Sequence, residues 1–82
     1  MEIFEEIKKI LVEELTIKPE MVRLDSRLRE DLGADSLDTM EIATSIEEKL
    51  GISISEEEVT KIKLVGDIVA LVDQKVRDKL LT

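Results

Sequence analysis

The sequence predicts an all-α fold: a small bundle of three longer helices and one short helix, with a long first loop. Apolar residues recur at intervals of three and four in three blocks, as they do on the buried face of an α-helix. The alternation of apolar and polar residues that indicates a strand is confined to residues 51–55. The 82 residues suffice for one small domain, which we expect to span residues 1–82.

The first helix is predicted over residues 2–15. Its apolar stripe consists of Ile3, Ile7, Ile10 or Leu11, and Leu15. Pro19 can begin a single helical turn that runs to Val22, because the fixed φ of proline suits the first position of a helix. We expect the long loop that follows to end at Gly33 in the left-handed conformation.

The second helix is predicted over residues 36–50 and should end at Gly51, since glycine readily adopts the left-handed conformation that closes a helix. Asp35 is the expected N-cap, and Asp38 can return the bond as in a capping box. A second capping box, formed by Ser55 and Glu58, should open a short third helix that runs to about residue 62.

The fourth helix is predicted over residues 65–80. Its inward residues are Val65, Ile68, Val69, Val72 and Val76. Leu64 is a poor N-cap, and Gly66 costs about 1 kcal/mol relative to alanine inside a helix. We therefore expect the start of this helix to be frayed or irregular.

The acidic residues are concentrated in one segment of the chain. Residues 30–58 hold ten acidic side chains and one basic one, whereas the rest holds ten acidic and eleven basic ones, for a net charge of −8. Such a field repels nucleic acid and anionic membranes and attracts basic protein surfaces. No apolar run reaches the length of a membrane span, and the chain opens directly on a helical pattern. We expect a cytosolic monomer with basic protein partners.

Several kinds of chemistry have no support in the sequence. The chain has no cysteine and no histidine, which excludes disulfides, thiolate catalysis and the usual general base. The acidic residues lack the ligand spacing and central glycine of an EF-hand loop, and no phosphate-binding loop is present. We therefore expect neither catalysis nor a specific metal site.

Ser36 is the candidate functional residue. It lies in the run GADSLDT, residues 33–39, where a loop turns into an acidic helix. Its hydroxyl should face solvent in the first helical turn. An anion attached there would meet unpaired backbone N–H groups and the positive end of the helix dipole.

The second helix is predicted to have two distinct faces. The inward face holds Thr39, Ile42, Ala43, Ile46 and Leu50, and the outward face holds Leu37, Met40, Glu41, Thr44, Glu47 and Glu48. Two apolar residues within a ring of carboxylates indicate a contact patch. Because an exposed ion pair contributes only about 0.2–1 kcal/mol, binding there should be weak, salt-sensitive and quickly reversible.

Residues 33–39 resemble the prosthetic-group attachment motif of the acyl carrier proteins, and the likeness extends from the first helix to about Val72. The resemblance implies that a separate synthase transfers 4′-phosphopantetheine from coenzyme A to Ser36. The thiol of this arm would hold acyl groups as thioesters and present them to fatty-acid synthesis enzymes through basic patches on those enzymes. The implied contacts are the acidic Asp35, Asp38, Glu41, Glu47 and Glu48, with Leu37 and Met40 as apolar contacts.

The same resemblance implies a cleft that shelters the acyl chain. Its lining would be Ile46, Ile54, Val59, Ile62 and Ile68. Members of the family often have alanine at the positions of Val59 and Ile68, so we expect long acyl chains to be sheltered poorly here. Two alternatives stay open: a carrier for polyketide, peptidyl or aminoacyl groups, and a non-covalent helical adaptor that binds basic partners without any modification of Ser36.

Overall fold

A computed structural model describes residues 2–81. It contains four α-helices and one 3₁₀ turn. These are α1 (Ile3–Leu15), the 3₁₀ turn (Pro19–Met21), α2 (Ser36–Leu50), α3 (Glu56–Thr60) and α4 (Val65–Leu81). Over the described residues, β pairing is limited to an isolated bridge between Arg27 and Leu64. The predicted all-α bundle with its long first loop is confirmed.

The core is aliphatic and lies where α1 packs against α2 and α4. Its fully buried large side chains come from all three helices: Ile7, Ile10, Leu11, Ile42, Ile46, Val65, Ile68 and Val72. These residues belong to the apolar stripes predicted from the spacing. The remaining stripe residues at the edges are half-buried: Ile3, Leu15, Leu50, Val69 and Val76.

The long loop before α2 is fixed by hydrogen bonds and by buried anchors. The buried hydroxyl of Ser26 accepts a hydrogen bond from the N–H of Arg23 (2.9 Å) and donates one to the carbonyl of Met21 (2.8 Å). Further along the loop, Leu28 and Leu32 are buried in the core. The segment that leads into α2 is therefore part of the packed structure.

The cap residues lie where the sequence predicts them. In α3, the N–H of Glu58 donates to the hydroxyl of Ser55 (3.1 Å), and the N–H of Ser55 donates to the carboxylate of Glu58 (2.9 Å). Gly51 closes α2 with a φ of 64°. The helix α3 is shorter than expected and ends at Thr60, although the N–H of Ile62 still donates to the carbonyl of Val59 in a 3₁₀-type bond (3.1 Å).

The expectation of an irregular start to α4 is wrong. The carboxylate of Asp67 accepts hydrogen bonds from the N–H groups of Lys63 and Leu64, both at 2.9 Å. The N–H of Gly66 donates to the carbonyl of Leu24 in the long loop at 2.8 Å, and a Cβ at position 66 would lie 3.0 Å from that oxygen. Glycine therefore permits a close approach that fixes the helix start, and this offsets its low helix propensity.

Candidate functional site

Ser36 is the first residue of α2, and its side chain is exposed. The capping box is complete: the N–H of Asp38 donates to Asp35 Oδ1 (2.8 Å), and the N–H of Asp35 donates to Asp38 Oδ2 (3.1 Å). Among residues 2–81, no acceptor is present for the N–H groups of Ser36 and Leu37. The hydroxyl thus lies beside two donors that remain available to an anion.

Each of the three residues directly before Ser36 has its own structural role. Gly33 has a φ of 73°, and a Cβ there would meet no atom within 4 Å, so the backbone conformation alone favours glycine. Ala34 is buried, and its N–H donates to the carbonyl of Leu28 at 2.8 Å. Asp35 then caps the helix. The turn, the anchor and the cap together fix the direction in which α2 begins.

The outward face of α2 is exposed except at Glu47, which is half-buried. Leu37 is 66% exposed and Met40 44% exposed, which makes them two of the larger apolar side chains at the surface. Glu41, Thr44 and Glu48 are also exposed. Apolar groups surrounded by carboxylates therefore lie next to Ser36 along one helix face.

Some of the carboxylates predicted to bind partners also stabilise the fold. Glu47 is half-buried, and its side chain accepts a hydrogen bond from the N–H of Ile54 at 2.9 Å. Asp35 and Asp38 are engaged in the capping box. The contact between Glu47 and Ile54 crosses the end of α2, and the spacing of apolar residues gave no signal for it.

A groove of about 580 Å³ opens beside Ser36. It lies between the start of α2, residues 27–30 of the long loop, and residues 59–64. Of the five residues predicted to line an acyl cleft, Val59 and Ile62 line this groove. The other three, Ile46, Ile54 and Ile68, do not line it and are buried in the core.

The basic edge of this groove was not predicted from the sequence. Three basic residues line it: Arg27 and Arg29 from the long loop, and Lys63 from the segment before α4, which is distant in the sequence. The long loop has three closely spaced basic residues, at positions 23, 27 and 29. This spacing could have indicated a local basic patch, although the part of the chain outside residues 30–58 is nearly neutral as a whole. The groove therefore joins apolar lining residues to a margin of three cations, and the acidic Glu30 and Asp35 line it as well.

Two ion pairs lie in the segments that contribute residues to the groove. The side chain and the N–H of Arg27 both donate to Asp31, which lowers the pKa of that carboxyl group below its ordinary value. In α3, the N–H of Ser55 and the ammonium of Lys75 lower the pKa of Glu58. The distance from Lys75 Nζ to Glu58 Oε1 is 2.9 Å, so this pair connects α3 to α4.

Neither a metal cluster nor a membrane span is present in the described part of the chain. No group of three or more acidic residues is arranged there to hold a metal ion. None of its helices is both long and apolar enough to cross a bilayer.

Comparison with known proteins gives concordant results. Residues 5–72 match the family model described as the phosphopantetheine attachment site. An acyl carrier protein of Wolinella succinogenes is 48% identical over 73 residues, which cover 89% of this chain and 96% of the relative. An acyl carrier protein of Campylobacter hominis is 42% identical over 79 residues, covering 96% and 100%. The crystal structure of an acyl carrier protein from Thermotoga maritima superposes with a TM-score of 0.80 at 27% identity, covering 90% of this chain and 86% of that one.

Proposed function

Since this chain belongs to the acyl carrier protein family, whose cofactor is 4′-phosphopantetheine, we propose that Ser36 bears this cofactor and that the protein carries acyl groups in fatty-acid synthesis. As a member of that family, the chain is a carrier and not an enzyme. When bound, the cofactor supplies a thiol that holds an acyl group as a thioester. The observation that carries the proposal is the exposed Ser36 hydroxyl at the capped start of α2.

The surroundings of Ser36 suit a phosphodiester. The free N–H groups of Ser36 and Leu37 point out of the helix start, where the dipole stabilises an exposed anion by about 0.3–1 kcal/mol. The chain has no histidine to take the proton of the hydroxyl. Activation of that hydroxyl is therefore assigned to a separate synthase, and this chain contributes its position and its anion-binding groups.

The outward face of α2 is the proposed surface for partner enzymes. Leu37 and Met40 offer exposed apolar area, and Glu41 and Glu48 offer exposed carboxylates that a basic patch can approach. Each such ion pair contributes about 0.2–1 kcal/mol and is weakened by salt. Contacts of this size suit a carrier that must leave one enzyme and bind the next. A cytosolic monomer remains our prediction.

The groove beside Ser36 is the proposed entrance for the acyl chain. Val59 and Ile62 form apolar parts of its wall, whereas Ile46 and Ile68 lie deeper in a packed core. Since a packed interior resists added volume, a long chain must displace these side chains to enter. The first carbons of an acyl chain should therefore be sheltered and the end of a long chain left outside.

The proposal is tested by loading variants with a phosphopantetheinyl transferase and coenzyme A. Wild type should gain the mass of one phosphopantetheinyl group, and Ser36→Ala should gain none while keeping its helical circular dichroism. Ser53→Ala, which removes another exposed serine, should load like wild type. Loading of Ser36→Ala would place the attachment on another residue, and complementation of a carrier-deficient cell by Ser36→Ala would favour the adaptor alternative. Either result would overturn the proposal.

A further inference from the structure

The groove that opens at Ser36 has two cations without partners. Arg29 and Lys63 both line the groove and are exposed. Neither side chain forms an ion pair or a hydrogen bond with any of residues 2–81. Arg27, on the same margin, is paired with Asp31 at 3.2 Å. Two positive charges thus remain available at the groove.

The backbone holds these two residues in a fixed relation to Ser36. The N–H of Leu28 donates to the carbonyl of Lys63 at 3.0 Å, which fixes the long loop against the segment before α4. The N–H of Ala34 donates to the carbonyl of Leu28 at 2.8 Å, and the N–H of Gly33 donates to the carbonyl of Arg29 at 3.1 Å. Main-chain hydrogen bonds therefore join the long loop to the segment before α4 and to the residues that lead into α2.

The charges around Ser36 make a counter-charge useful there. A phosphodiester on this residue would lie next to the carboxylates of Asp35 and Asp38 in a segment that is strongly acidic. Neighbouring negative charges repel each other, and the free-energy cost of this repulsion is larger where water is partly excluded. Hydrogen bonds from a guanidinium or an ammonium to a phosphate are among the stronger ones available to a protein.

We propose that Arg29 and Lys63 form a clamp that binds the phosphodiester of the arm on Ser36 and directs the arm into the groove. The clamp rests on the proposed function, because the anion it binds is the one attached to Ser36. The phosphodiester is the favoured ligand since its ester bond keeps it at the groove mouth. A carboxylate on an acyl group would lie at the far end of the arm instead.

The clamp is tested by the mobility of the arm in loaded protein. Wild type, Arg29→Gln/Lys63→Gln and the control Lys9→Gln/Lys18→Gln are loaded with an arm labelled with ¹⁵N in its amides. The control removes two exposed cations that do not line the groove. Intact mass first shows one group on each protein, and wild type that fails to load would overturn the proposed function itself.

NMR relaxation then measures the order parameter of the arm amide nearest the phosphate. In wild type and in the control it should approach the value of ordered backbone, roughly 0.85, and in the Arg29/Lys63 variant it should fall below about 0.6. Raising salt to about 1 M should lower it in wild type, since charges are then screened over about 3 Å. Equal values in all three loaded proteins would overturn the clamp alone. Ordering seen only with a carboxylated acyl group on the arm would also overturn it.

Discussion

Replacement of Asp35 by alanine tests the part of the structure that positions Ser36. In the folded protein, Asp35 Oδ1 accepts the N–H of Asp38 at 2.8 Å, and alanine would leave that donor without a partner at the helix start. The reverse bond, from the N–H of Asp35 to Asp38 Oδ2 at 3.1 Å, uses the backbone of residue 35 and can persist. The substitution therefore removes half of the capping box.

The expected loss follows from these contacts. Removal of an N-cap acceptor costs about 0.5–2 kcal/mol, typically about 1. That cost includes much of the roughly 0.3–1 kcal/mol that a carboxylate contributes at the positive end of a helix dipole. We therefore expect Asp35→Ala to lower the free energy of unfolding by about 1–2 kcal/mol. For a domain of this size this corresponds to a fall in melting temperature of about 4–16 °C.

Urea unfolding followed by circular dichroism measures this loss. Asp35→Asn keeps an acceptor and loses the charge, so it should cost only a few tenths of a kcal/mol, since both residues are strong N-caps. Asp25→Ala is the matched control, because Asp25 is an exposed loop carboxylate outside any capping box. Unfolding of Asp35→Ala and Asp25→Ala at the same urea concentration would show that the Asp35 cap does not stabilise α2.

Four further predictions concern the fold and the ligands. Gly33→Ala should lower the free energy of unfolding by about 1–2 kcal/mol in urea titrations, because its cost is the left-handed backbone alone, and Gly33→Asn should cost less. Because Ser55 and Lys75 lower the pKa of Glu58, its contribution to stability is complete above its ordinary pKa of 4.5 and is lost as pH falls through the lower folded-state pKa. Glu58→Gln should flatten that part of the pH–stability curve. Leu37→Ala should weaken binding to a basic partner enzyme by a similar factor at all salt concentrations, as calorimetry would show. In NMR spectra of a long-chain acyl form, the end of the tail should contact solvent.

Each of these predictions has an outcome that contradicts it. Equal costs for Gly33→Ala and Gly33→Asn would exclude backbone strain as the cause. An unchanged pH–stability curve in Glu58→Gln would show that ionisation of this carboxylate does not contribute to the stability of the fold. Rescue of Leu37→Ala at low salt would assign the partner contact to charge. A structure with a long acyl tail wholly inside the protein would contradict the sheltering prediction.

The local features of the fold were predictable because their signals lie within a few residues of one another. Asp35 with Asp38, and Ser55 with Glu58, are each three positions apart and cap the helix that they open. Gly51 follows the last apolar residue of α2 directly. Such patterns depend only on the geometry of one helical turn, so no tertiary contact was needed to read them.

The features that the sequence did not predict depend on contacts between distant segments. The start of α4 is fixed by the carbonyl of Leu24, which lies forty-two positions before its donor, Gly66. Arg29 and Lys63 line the same groove because the N–H of Leu28 donates a hydrogen bond to the carbonyl of Lys63. Ile46 is buried on the inward face of α2, as its spacing predicts, but the spacing did not show which of the implied cleft residues line the groove. Apolar spacing separates an inward face from an outward one, but it does not distinguish a groove wall from a packed interior.

The role of Ser36 is tested most directly by locating the attached group in the loaded protein. Protein loaded in vitro with coenzyme A and a transferase is digested, and the modified peptide is sequenced by tandem mass spectrometry. We expect one phosphopantetheinyl group, on the Ser36 oxygen, with none on the serines at positions 26, 45, 53 and 55. A group found on any of those four serines, or a Ser36 peptide that stays unmodified under conditions that load a related acyl carrier protein, would contradict it.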